Sequence, residues 1–128
     1  MTASAPDPDS AIYIAAALAL YIDLPDTPLR TSIQDQWQAR RLQERGVPLH
    51  TVESAMLLAS LRRLMRPTDV PPLPPIRSLA YFLPVIDELL VHPAPEGYSD
   101  YLRLKLQRMA QLVEMPAKVQ RNTFPDDR

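Results

Sequence analysis

The chain has 128 residues, of which 46% are hydrophobic and 23% are charged, and its formal net charge is -1. This length corresponds to one domain with one hydrophobic core, and a net charge so close to zero excludes a global attraction to nucleic acid or to a membrane surface. The absence of cysteine excludes disulfides, thiolate catalysis and zinc sites built on cysteine.

The charges are distributed unevenly along the chain. Residues 1–29 contain four acids and no base, whereas residues 30–66 contain seven arginines and three acids. This segregation predicts a basic surface formed by the second of these segments.

The first predicted helix covers about residues 11–23. Asp9 or Ser10 can cap it, because a side-chain oxygen at this position accepts from the exposed amides of the first turn. The apolar run is too short to cross a bilayer, which needs about 20 residues, and acids precede it where a signal peptide carries bases. We therefore expect a cytoplasmic protein without a membrane partner, in which residues 1–8 are disordered.

The second predicted helix covers about residues 31–45. Thr31 and Gln34 have the spacing of a capping box, and Gly46 supplies the left-handed backbone that commonly ends a helix. Polar and basic side chains recur along one side of this helix. Its apolar residues form no clean stripe, so the sequence does not define which side is buried.

The third predicted helix begins at Pro48 and ends at Arg66, just before Pro67. A proline fits the first helical position because its missing amide has no helical partner there. The apolar residues form a broad stripe, which indicates the central core helix. We expect the turn at Gly46 to bring the basic second helix against this core helix.

Five prolines occur in the segment 67–76. Each ring fixes its own backbone and restrains the preceding residue, so the segment is expected to be a stiff, extended linker. Two roles are open for its Pro-Pro-Leu-Pro-Pro run: it packs across the helices, or it is a ligand for an aromatic groove on another protein.

Two more helices are predicted after the linker. Ser78 can cap a fourth helix that reaches residue 90 or 91, and Pro84 is tolerated if this helix begins near residue 80. A fifth helix follows over about residues 99–114.

The fold class that these elements predict is all-α. No segment shows sustained strand alternation, and no internal repeat is visible. We expect a compact bundle of about five helices with a Pro-rich linker between helices three and four. The single helical domain is placed at 9–115, after the disordered residues 1–8, and a flexible tail is expected at 116–128.

No pattern for catalysis is visible. The chain contains two glycines, so a Gly-rich phosphate loop is absent, and His50 and His92 lack the spacing of metal ligands or of a catalytic triad. Asp87 and Glu88 are adjacent on a predicted helix and point about 100° apart, which does not make an acid/base pair. We expect no enzyme, cofactor, metal site or small-molecule substrate.

The segment 42–52 is similar to a helix-turn-helix motif, in which the second helix presents its first residues to base edges in the major groove. Gly46 matches the turn glycine, Val47 the apolar residue after it, and Val52 a buried position of the second helix. The residues that would contact bases are His50, Thr51, Glu53 and Ser54, and those that would contact phosphates are Arg40, Arg41 and Arg45. The alternative is a plain helical hairpin.

A second similarity lies in the segment 76–89, Ile-Arg-Ser-Leu-Ala-Tyr-Phe-Leu-Pro-Val-Ile-Asp-Glu-Leu. An arginine and a serine before an aromatic pair, followed by an isoleucine and an acid, resemble the end of the helical domain of DnaD-like and mobile-element replication proteins. The segment 46–55 is similar to the preceding helix of that domain, and the resemblance covers about residues 33–90. It implies a role in the replication or maintenance of a phage, plasmid or integrated element, through DNA and a replication-protein partner.

We therefore predict a small non-enzymatic, DNA-associated accessory protein that binds mainly through salt-dependent contacts of arginine with phosphate. The predicted nucleic-acid-binding residues are Arg40, Arg41, Arg45, His50, Arg62, Arg63 and Arg66. A second basic strip is predicted at Arg103, Lys105 and Arg108. The alternative is a helical protein-interaction or regulatory module, in one form a homodimer, that does not bind nucleic acid, since apolar surface that one core cannot cover requires a partner.

Overall fold

Five α-helices and one short 3-10 helix form the part of the chain that the computed structural model describes, residues 8–112. The helices are α1 (Pro8–Ile22), α2 (Ile33–Glu44), α3 (Leu49–Leu64), α4 (Leu83–Val91) and α5 (Tyr98–Leu112), and the 3-10 helix is Leu79–Phe82. No strand occurs in the described residues, so the prediction of an all-α bundle of about five helices is confirmed. The predictions for residues 1–7, for the end of the fifth helix and for the tail at 116–128 lie outside this range.

Helix α3 is the centre of the bundle, as its broad apolar stripe predicts. It contacts α1, α4, α5 and the 3-10 helix, and its residues Val52, Ala55 and Met56 are at most 1% exposed. The expectation that α2 lies against α3 is wrong, because the main contacts of α2 are with α1 and the 3-10 helix. The turn between α2 and α3 determines how α2 ends. The buried side chain of Asp35, near the start of α2, determines which elements the helix packs against.

The turn between α2 and α3 is a Schellman motif. Gly46 has a φ of 76°, its N–H donates to the carbonyl of Gln43 at 3.0 Å, and the N–H of Val47 donates to the carbonyl of Leu42 at 3.1 Å. These bonds satisfy carbonyls at the end of α2 that have no helical partner. Glycine is favoured at this φ because a side chain would be strained there, so the predicted left-handed conformation of Gly46 is confirmed.

The start of α2 differs from the prediction by one residue. Ser32 caps the helix: its hydroxyl accepts from the N–H of Asp35 at 3.1 Å, and the Asp35 carboxylate accepts from the N–H of Ser32 at 2.9 Å. The capping box is therefore built by Ser32 and Asp35 rather than by Thr31 and Gln34. This arrangement turns Asp35 toward the core.

The Asp35 carboxylate joins α2 to the 3-10 helix. The residue is 1% exposed, and its second oxygen accepts from the N–H of Leu79 at 2.9 Å. One buried carboxylate thus supplies acceptors to the amides at two helix starts, which have no helical partners of their own. These hydrogen bonds replace the water that the charge loses on burial.

Ser78 caps the helical segment after the linker, as predicted. Its hydroxyl accepts from the N–H of Ala80 at 3.2 Å, but the first turn is a 3-10 helix and α4 begins at Leu83. Pro84 therefore lies in the first turn of α4, where its missing amide leaves no helical bond unmade. The 3-10 helix also brings Phe82 into the core, where its ring meets that of Tyr21 edge-on, with the centroids 6.0 Å apart.

Replacing Asp35 by asparagine is expected to lower the free energy of unfolding by about 1–3 kcal/mol, because the amide offers one acceptor oxygen where two N–H groups, that of Leu79 buried and that of Ser32 partly buried, need acceptors. Asp35→Ala removes both acceptors and should destabilise the protein further. Chemical denaturation followed by circular dichroism measures the difference. Asp69→Asn is the control, since Asp69 is an exposed acid in the linker. A loss at position 35 no larger than the loss at position 69 would contradict this role.

Candidate interaction surface

Two of the arginines that were predicted to contact DNA bind acids of α4. Arg45 donates to Asp87 at 3.1 Å, and Arg62 makes two bonds to Glu88, at 3.0 and 2.7 Å. The hydrogen bonds from Arg62 lower the pKa of the Glu88 carboxyl. All four side chains are about half exposed, so the pairs contribute little to stability. Each acid nevertheless offsets the positive charge that its arginine would offer to a phosphate.

Arg63 is held inside the fold. Its side chain is 9% exposed, and its guanidinium donates to Asp26 at 3.1 Å, to the carbonyl of Pro74 at 2.9 Å and to the hydroxyl of Tyr81 at 3.2 Å. The group also lies 5.4 Å from the centre of the Tyr81 ring, within the range of a cation–π interaction. Arg63 thus joins the end of α3 to the loop after α1, to the linker and to the 3-10 helix.

The other predicted residues lie in three places. Arg66 donates to the carbonyl of Pro71 at 2.9 Å, and His50 is exposed in the first turn of α3. Arg40 and Arg41 are exposed on α2, and neither forms an ion pair within the described part of the chain. The seven predicted residues therefore separate into groups beside α4, beside the linker, at the start of α3 and on α2.

The residues that would contact bases are not presented together. Ser54 is 5% exposed, Thr51 is partly buried, and Glu53 forms an ion pair with Arg103 of α5. Helix α5 and the turn before it cover this side of α3, so that only His50 of the four is exposed. The segment is therefore neither a presented helix-turn-helix nor a plain helical hairpin, because α5 packs against α3 and α2 packs mainly against α1 and the 3-10 helix.

Two residues of the second predicted basic strip, on α5, also contact other side chains. Arg103 is bound to Glu53, and the Lys105 ammonium lies 5.8 Å from the centre of the Tyr101 ring. Arg108 is exposed. Of the three residues, only Arg103 is paired with an acid among the residues described.

The most prominent exposed feature of α2 is apolar. Trp37 is 60% exposed and Ile33 is 66% exposed, and together with Ile14, Gln36 and Arg40 they line a groove between α1 and α2. Apolar side chains with polar and basic neighbours are the usual composition of a protein-binding surface. These five residues are named the Trp37 surface.

Sequence reasoning missed the Trp37 surface because α2 carries two rows of apolar residues. Ala39 and Leu42 follow the buried row together with Asp35, whereas Ile33 and Trp37 follow an exposed row. A search for one apolar stripe identifies neither row clearly. The four-residue spacing of Ile33 and Trp37, outside the row of Ala39 and Leu42, is the signal that the sequence contains.

Comparison of the chain with protein-family models, with curated proteins and with solved structures gives no match. The resemblance to DnaD-like and mobile-element replication proteins therefore stays a prediction. Within residues 8–112, no helix is long and apolar enough to cross a membrane. In the same range, no group of three or more His, Asp or Glu side chains is placed to hold a metal ion.

Tyr21, near the end of α1, brings a hydroxyl into the core. The residue is 0% exposed, and the hydroxyl has no hydrogen-bond partner among the residues described. Burial, with a smaller contribution from the Asp35 carboxylate, raises the pKa of this hydroxyl from 10.0 to about 12. The folded protein therefore keeps the Tyr21 proton at a pH at which the unfolded chain loses it.

Stability is expected to fall as the pH rises from about 10 toward about 12, because Tyr21 ionises in the unfolded chain over this range and stays neutral in the folded protein. Tyr21→Phe should lose this part of the pH dependence. At neutral pH the variant should be at least as stable as the parent, since it removes a buried unpaired hydroxyl.

Denaturation curves across this pH range compare Tyr21→Phe with Tyr101→Phe, whose ring is exposed on α5. The control should keep the alkaline loss of stability that the parent shows. A loss of more than about 1 kcal/mol at neutral pH for Tyr21→Phe would show that its hydroxyl has a partner.

Proposed function

We propose that this protein is a helical interaction module that binds a partner protein through the Trp37 surface. The observation that carries the proposal is the 60% exposure of Trp37, beside a groove that Ile14 and Ile33 also line. A large exposed apolar side chain costs free energy in the isolated protein, and tryptophan is enriched among the residues that dominate binding energies. Burial by a partner removes this cost.

Arg40 and Arg41 indicate the chemistry of the partner. They follow Trp37 by three and four residues, so both neighbour it on the helix surface, and neither has an ion pair in the part of the chain that the structure describes. A segment that packs an apolar side chain against Trp37 and places carboxylates near the two arginines is complementary in shape and in charge. The proposed partner is therefore an acidic amphipathic segment of another protein.

A second copy of this chain fits the surface less well. A homodimer is normally built around a two-fold axis, and an axis near Trp37 would bring the arginines of the two copies close together. Like charges in that position oppose association. Light scattering measures the molar mass of the parent and of Trp37→Ala in solution, and so tests separately whether a homodimer forms through this surface.

Selection of short random peptides displayed on phage against the full-length protein tests the proposal. Bound peptides should combine apolar residues at helical spacing with Asp or Glu. Their affinity for Trp37→Ala should fall at least about tenfold, which is about 1.4 kcal/mol. Trp37 is the single tryptophan of the chain, so its emission should shift to the blue when a peptide covers it.

Matched variants separate the Trp37 surface from other exposed groups. Tyr101→Ala is the aromatic control, because Tyr101 is 55% exposed on α5, and Arg108→Glu is the charge control. The double variant Arg40→Glu/Arg41→Glu should weaken binding, whereas both controls should not. Peptides without acids, or peptides that bind Trp37→Ala as well as the parent, would contradict the proposal, and so would a dimer that Trp37→Ala dissociates.

Association with single-stranded DNA in the cytoplasm is a second candidate function. An exposed Trp37 beside Arg40 and Arg41 is the combination with which proteins stack a base and contact its neighbouring phosphates. The role in replication or maintenance of a mobile element, with a replication protein as partner, belongs to this candidate.

Fluorescence anisotropy with labelled single- and double-stranded DNA at low salt measures this second activity. We expect a preference for single strands, an affinity that falls as salt is added, and a loss of binding in Trp37→Ala and in Arg40→Glu/Arg41→Glu. Arg62→Gln is the control, because Glu88 already offsets the charge of Arg62. Absence of binding at low salt would exclude the candidate.

A further inference from the structure

The linker contains a proline pattern that the Trp37 surface does not explain. Residues 71–77 read Pro-Pro-Leu-Pro-Pro-Ile-Arg. Each proline ring fixes φ near about −65°, and the residue before a proline is restrained to extended backbone. Such a segment is stiff and close to a polyproline II helix, which has about three residues per turn.

Side chains on one edge of this segment attach it to the protein. With three residues per turn, Leu73 and Ile76 lie on the same edge. Ile76 is 3% exposed, and Leu73, at 37%, lines a pocket together with Leu64. The N–H of Ile76 also donates to the carbonyl of Asp26 at 2.9 Å. Within residues 71–77, the packing expected for the linker is therefore provided mainly by Ile76 and in part by Leu73.

Two arginines at the end of α3 donate hydrogen bonds to the backbone of the same segment. Arg66 donates to the carbonyl of Pro71 at 2.9 Å, and Arg63 donates to the carbonyl of Pro74 at 2.9 Å. Because these carbonyls are three residues apart, they belong to one side of a polyproline II helix. These two arginines thus bind carbonyl groups of the segment and not its side chains.

The proline rings and the arginine at the end of the segment are exposed. Exposed residues are Pro71, Pro72, Pro74, Pro75 and Arg77. Within the described chain, Arg77 forms no ion pair. Two proline pairs, separated by one residue and followed by a positive charge, are therefore presented to the solvent.

We propose that residues 71–77 are a ligand for a partner domain that recognises polyproline II segments. Such a domain binds proline pairs in a groove lined by aromatic side chains, and a carboxylate at the end of the groove would bind Arg77. The stiff backbone reduces the entropy that is lost on binding, because the bound conformation exists beforehand.

This ligand segment is independent of the Trp37 surface. It lies between α3 and the 3-10 helix and shares no residue with the groove between α1 and α2. Loss of one binding activity therefore leaves the other in place, and a failure of either proposal is recognised separately.

An array of purified SH3, WW and EVH1 domains, probed with the full-length labelled protein, tests the inference. We expect binding to at least one domain whose groove carries acidic residues. The affinity should fall at least about tenfold, or about 1.4 kcal/mol, in Pro72→Ala/Pro75→Ala and in Arg77→Glu. Ile76 and the backbone attachments are retained in these variants, so their circular dichroism and melting temperature should stay close to those of the parent.

The matched control is Pro93→Ala/Pro95→Ala, which removes two exposed prolines from the turn before α5. This control and Trp37→Ala should bind the domains as the parent does. Binding to none of the domains would overturn the inference, and so would an equal loss of affinity in the control.

Discussion

The buried carboxylate of Asp35 is the constraint on which the arrangement of α2 depends. Its oxygens accept from the amide of the α2 cap and from the amide of Leu79, at 2.9 Å each. A charge can stay buried only where hydrogen bonds replace its water, so the position and the rotation of α2 are fixed together. Ala39 and Leu42 then face the core, and Trp37 faces the solvent.

Most arginines of α3 and of the turns that flank it contact another segment of the fold. Arg45 and Arg62 meet consecutive acids of α4, and Arg63 joins three segments that are distant in sequence. Arg40 and Arg41 differ from these, because no acid pairs with them in the described range. Most arginines within residues 40–66 thus form tertiary contacts. Arg40 and Arg41 form a small basic surface beside the exposed Trp37.

Local signals in the sequence predicted local structure. The five helices, the left-handed Gly46 and the cap at Ser78 each depend on residues a few positions apart. The partners of the arginines do not, since Arg45 and Asp87 are 42 positions apart and no local pattern encodes which acid meets which base. The spacing of Ile33 and Trp37 marks a second apolar row on α2, but which row is buried depends on a hydrogen bond between segments 44 positions apart.

The linker is attached to α3 through guanidinium groups and backbone carbonyls. A guanidinium group stays protonated wherever a protein stays folded, and a backbone carbonyl does not titrate. The bonds of Arg63 and Arg66 to the linker are therefore insensitive to acidity, unlike an attachment through a histidine or a carboxylate. Burial of the Arg63 side chain, at 9% exposure, also limits screening by salt. The hydrogen bonds that hold the linker backbone to the end of α3 thus join groups whose charge is the same in acidic and in neutral surroundings.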